Sequence, residues 1–69
     1  MTPTTLRAVG EALYGSQWQA YLARDLGRSA RTVNRWLTGK NAIPNSLAVR
    51  CVDLLRARRA VLAEIMEGL

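Results

Sequence analysis

The sequence predicts an all-α fold, a small bundle of about four helices that ends in a long one. Three observations predict it. Apolar residues recur at the three- and four-residue steps of one helix face through several short segments. Glycines stand where those segments stop. From about Asn45 to Glu67, Ala, Leu and Arg dominate and neither Gly nor Pro intervenes, so one continuous helix is expected there.

The first helix is expected from about Thr4 to Tyr14, opened by Thr2 and Pro3 and stopped by Gly15. Leu6, Val9 and Leu13 give it an apolar stripe. Gly10 lies inside it, at a cost of about 1 kcal/mol relative to Ala; a close helix crossing would explain it. Ser16 with Gln19 fits a capping box for the second helix, about Gln17 to Leu26. Leu22, Ala23 and Leu26 recur there at helical spacing. Gly27 ends it, because glycine enters the left-handed region without a side-chain penalty. Ser29 is placed to cap a third helix, about Ala30 to Thr38, which turns Val33, Trp36 and Leu37 inward. Gly39 ends that helix, and a loop leads to Pro44.

The last helix, about residues 45–67, would be roughly 33 Å long at about 1.5 Å per residue. That is long for a chain of 69 residues. Its apolar stripe runs through Leu47, Cys51, Leu54 and Leu55 to Val61, Leu62 and Ile65, and Arg58 divides it. The division assigns two tasks. The first half packs on the preceding pair of helices, and the second projects to a partner. Leu22, Leu26, Val33, Trp36, Leu47 and Leu54 are expected to share one core.

A chain this short is one domain, with no room for a catalytic unit beside a regulatory one. The hydrophobic fraction of 49% supports folding, and with no Phe the core falls to Leu, Val, Ala and two Trp. The formal charge of +5 is concentrated. Residues 17–40 carry Arg24, Arg28, Arg31, Arg35 and Lys40 against Asp25 alone. A polyanion is the natural partner of such a patch. One cysteine precludes an intrachain disulfide, and one Cys with no His excludes a zinc finger. Cys51 reads as a small core residue. The five acids are scattered, which argues against an enzyme, and no cofactor, metal or small-molecule ligand is expected. No apolar run reaches the roughly 20 residues of a membrane span, and no signal-peptide pattern opens the chain. A cytoplasmic location is expected.

The order Gln19, Ala23, Gly27, Ser29, Val33, Trp36, Gly39 resembles the helix-turn-helix of the Cro and phage-repressor (XRE-like) DNA-binding family. The resemblance covers roughly Ser16 to Ile43. Small Ala23 suits the helix crossing, Gly27 the turn, and Val33 with Trp36 the anchoring face of the recognition helix. Arg28 departs from it, standing where many members have an aliphatic residue. The resemblance implies a lambda-repressor-like bundle and a sequence-specific regulator that binds double-stranded DNA. It further implies a phage- or mobile-element repressor without a sensor domain, for which autoregulation is common; regulators encoded beside anti-CRISPR genes are one example.

The residues themselves say how DNA would be met. The major groove, about 12 Å wide, admits one helix. With Val33, Trp36 and Leu37 inward, the third helix offers it Ala30, Arg31, Asn34 and Arg35. Arg31 and Arg35, four apart, share a side, and each guanidinium can donate twice to guanine. Ala30 suits a thymine methyl, and Asn34 either adenine or phosphate. The resemblance puts base reading on Ala30, Arg31 and Arg35, with Thr32 toward the backbone. It puts phosphate contacts on Trp18 or Gln19 and on Lys40 with Asn41, and Arg28 joins that set. Trp18 fits a core position equally well. A two-fold dimer would double the contacts, and Val61, Leu62, Ile65 and Met66 are the expected interface, the alternative being a helix folded back fully onto its own domain. The alternative is a protein-interaction or antitoxin-like module whose arginines meet an acidic protein.

Overall fold

The computed structural model describes residues 1–69, and the chain is all-helical with no strand. Helix α1 spans Pro3–Tyr14. A single 3-10 turn, Gly15–Gln17, joins it to α2, Trp18–Leu26. Helix α3 is Ala30–Leu37 and α4 is Ser46–Glu67. No helix is long and apolar enough to cross a membrane.

Local chemistry sets most of these limits. Thr2 is extended, and its hydroxyl accepts from the Thr5 N–H at 3.2 Å, with Pro3 next in the first turn. Gly15, at φ 79°, closes α1 by donating its N–H to the Glu11 carbonyl. The capping box expected from Ser16 and Gln19 does not form. Residues 15–17 wind as a 3-10 turn, Gln17 precedes α2, and no side chain caps that end. A box needs an extended cap residue, and the 3-10 turn leaves none.

Gly10 is buried where α1 crosses the start of α2. A Cβ built there would lie 2.0 Å from Cε3 of Trp18. The glycine therefore lets the indole lie flat against the backbone of α1.

One core cluster unites Leu6 of α1, Trp18, Leu22 and Leu26 of α2, Val33 and Trp36 of α3, and Leu47 of α4. A smaller one joins Val9 and Leu13 to Cys51. Five of the six expected core residues are buried; Leu54 is half-buried and packs against both clusters. Burial pushes the Cys51 thiol up, which disfavours the reactive thiolate.

The first half of α4 does not rest mainly on α2 and α3, as expected, but on α1 through Cys51. It reaches the preceding pair through Leu47 and through Arg50, whose guanidinium donates to the Asp25 carbonyl at 3.0 Å. Beyond Leu54 the helix leaves the core. Val61, Leu62, Ile65 and Met66 are all half or more exposed, and the molecule measures 44 × 22 × 20 Å.

A polar tie holds the ends of α1 and α2 together. Tyr14 donates its phenol proton to Oδ2 of Asp25, whose Oδ1 accepts from Arg24 Nε at 3.2 Å. Burial, then the bond to Asp25, pushes the Tyr14 phenol up from 10.0 to about 12. The same bond is the main cause holding the Asp25 carboxyl below its ordinary value. The lowered Asp25 contributes stability above the ordinary carboxylate range and loses it as pH falls through its folded value. The raised Tyr14 contributes below pH 10.0 and loses it as pH rises toward about 12. Tyr14→Phe is therefore expected to cost stability at neutral pH, with the difference from the parent shrinking at both extremes. Urea melts across pH measure this, and a pH-independent difference would mean that the tie contributes nothing.

Candidate nucleic-acid interface

The surface between Trp18 and Asn41 is built by α2, a tight turn and α3. Gly27 takes the left-handed conformation, φ 69° and ψ 32°, and donates to the Arg24 carbonyl at 3.1 Å. The next N–H, of Arg28, donates to the Ala23 carbonyl at 2.8 Å. These two bonds satisfy the Arg24 and Ala23 carbonyls near the end of α2, and the chain turns before α3 opens at Ala30. Ser29 then caps α3, its hydroxyl accepting from the Thr32 N–H at 3.2 Å and lying 3.0 Å from the Thr32 hydroxyl.

Helix α3 is divided along its length. Val33 is fully buried and Trp36 nearly so, and this face anchors the helix. Ala30, Arg31, Asn34 and Arg35 are all exposed. Steps of 100° place those four on one continuous arc opposite the anchor. Arg31 and Arg35 lie one turn apart with no carboxylate in reach, because the chain's ion pairs are Arg7–Glu11 and Arg24–Asp25. Arg28 and Lys40 are likewise exposed and unpaired. Four uncompensated cations on one small surface make a positive field that no internal acid screens.

The flanks are held as well. Gly39, at φ 78°, turns the chain after α3, and the Asn41 N–H donates to the Arg35 carbonyl at 3.3 Å. This keeps Lys40 and Asn41 beside the end of α3. Gln19 is half-buried in the first turn of α2. Trp18 needs a correction: it is 2% exposed and its ring is pressed on Gly10, so it is a core residue and does not present its ring to phosphate. Thr32 is half-buried and already engaged with Ser29. Arg28 is exposed, so no core contact forms at that position.

Two features were not foreseen from sequence. The Arg24 guanidinium lies 5.3 Å from the Tyr21 ring centroid as well as on Asp25, so it is the one arginine of this region that is internally satisfied. Tyr21 is itself exposed and stands 6.0 Å from Tyr14. Its spacing to Arg24 (i, i+3) is a local signal that would have found the pair. No metal-holding group of acids, Cys and His occurs. No protein-family model matches the chain, and no curated protein or solved structure matches it.

Proposed function

We propose that this protein is a sequence-specific regulator that binds double-stranded DNA, a cytoplasmic repressor of the Cro-like, XRE-like type with a lambda-repressor-like arrangement of its helices. One observation carries the reading. The exposed arc of α3 presents two unpaired guanidiniums, a small apolar residue and an amide, while the opposite face is locked into the core. A rigid helix with such an arc fits the major groove, and its arginines have the donors to read guanine.

In this reading Ala30, Arg31, Asn34 and Arg35 face base edges. Gln19, Arg28, Lys40 and Asn41 flank them and would contact phosphates, with Thr32 toward the backbone, and these contacts set the register. Two copies, joined through Val61, Leu62, Ile65 and Met66, would read two half-sites one helical turn, about 34 Å, or a multiple of it apart.

Selection from random oligonucleotides, followed by competition binding, tests the reading. Arg31→Ala and Arg35→Ala are each expected to cost about 1–3 kcal/mol of specific binding and to relax preference at one base pair. Lys40→Ala is expected to weaken all sequences alike and to lower the salt slope by about 1. Selection that returns no consensus, with an acidic protein bound instead, would favour the interaction-module alternative.

A further inference from the structure

A notch opens where α4 leaves the body of the domain. Leu13 of α1 lines it from the body, and Leu54, Ala57 and Val61 line it from α4. At about 100° per residue those three fall within about 60° of arc on α4. Arg50, whose guanidinium reaches the Asp25 carbonyl, lies on the same arc. The volume is about 210 Å³. An apolar cavity of about 150 Å³ takes up benzene, whereas sites for drug-sized ligands begin near about 300 Å³. The notch therefore has room for one ring or a short alkyl chain and for little more.

Its polar groups leave one demand unmet. Tyr14, Asp25 and Arg58 complete the lining. Tyr14 has committed its proton to Oδ2 of Asp25, and Oδ1 accepts from Arg24, which also balances the charge. Arg58 has no such partner and makes neither an ion pair nor a hydrogen bond within the chain. Burial and the bond to Asp25 push the Tyr14 phenol up, and the Arg58 charge opposes them, so its field reaches into the notch. A guanidinium with free donors can take a carboxylate through two parallel bonds. We propose that the notch is a binding site for a small aryl- or alkyl-carboxylate, its apolar end between Leu13 and Val61 and its carboxylate on Arg58. The sequence gives no expectation of such a ligand, because the notch exists only where α1, α2 and α4 meet. The site goes beyond the DNA reading and does not depend on it.

Titration of the whole chain with phenylacetate, followed by methyl and amide NMR shifts, tests the proposal. Saturable shifts centred on Leu13, Leu54 and Val61 are expected, with a Kd in the millimolar range that suits so small a ligand. The neutral isostere phenylacetamide is expected to bind at least about tenfold more weakly. Arg58→Gln is expected to bring the acid down to the level of the amide. Ala57→Leu, which fills the notch, is expected to weaken the acid although Arg58 remains. Circular dichroism shows that both variants are folded. Equal affinity for acid and amide overturns the proposal, as does an Arg58→Gln chain that binds the acid like the parent. Shifts that never saturate, or that centre on α3, also overturn it, because they mark diffuse attraction to arginines. Base reading by α3 is measured through that helix's own arginine variants, so either reading can fail without the other.

Discussion

Gly10→Ala is expected to destabilise the domain, against the trend for helices. In a helix interior Ala is normally better than Gly by about 1 kcal/mol. Here the new methyl would sit 2.0 Å from Cε3 and 2.3 Å from Cδ2 of Trp18. The indole cannot swing away, because it is 2% exposed and shares a cluster with Leu6 and Leu22. Forcing extra volume into a packed core costs typically about 1–3 kcal/mol, occasionally more, which exceeds the propensity gain. Urea denaturation of Gly10→Ala, Trp18→Leu and the double variant measures it. The two sites touch, so the double variant is expected to be more stable than the sum of the single effects implies, by about 0.5–3 kcal/mol. Simple additivity, or a more stable Gly10→Ala, would show that the ring does not rest on this glycine.

Trp36→Ala is expected to have the larger effect, about 3–5 kcal/mol. The ring is 4% exposed and belongs to the main cluster. It also lines a surface hollow together with Met1, Pro3 and Ile43. Small domains have total stabilities at the low end of about 5–15 kcal/mol, so the variant is expected to be largely unfolded. Chemical denaturation followed by far-UV ellipticity shows this as a lost or strongly shifted transition. A cooperative, near-parental melt would place Trp36 outside the core and make it a DNA-contact candidate.

What was legible in the chain is what local chemistry decides. Gly27 and Ser29 act through their own backbone and next-turn neighbours, so the turn before α3 and the face of α3 could be read directly. The inward spacing of Val33 and Trp36 left Arg31 and Arg35 outside by geometry alone. Features that depend on how two elements meet were not legible. Trp18 suits either a helix start at the surface or a core; its place on Gly10 depends on how the 3-10 turn joins α1 to α2. The bond from Tyr14 to Asp25 spans eleven positions of sequence and has no local signature. In the sequence Asp25 is only the lone acid among the cations of residues 17–40, and Arg24 is the one it meets. The seat of α4 on α1 rather than on the preceding pair likewise depends on how distant elements meet, which no periodicity contains.

The placement of the two tryptophans has an optical consequence. Both indoles lie in the cluster that supports α2 and α3, and none lies on α4. Intrinsic fluorescence therefore reports on the domain body and is blind to the projecting helix. Far-UV ellipticity does include it, because α4 is the longest helix, at 22 residues. The chain thus carries two native reporters for its two halves. Where the end of α4 orders only against a partner, dilution lowers the ellipticity while the emission wavelength holds still, and the two signals separate without any label.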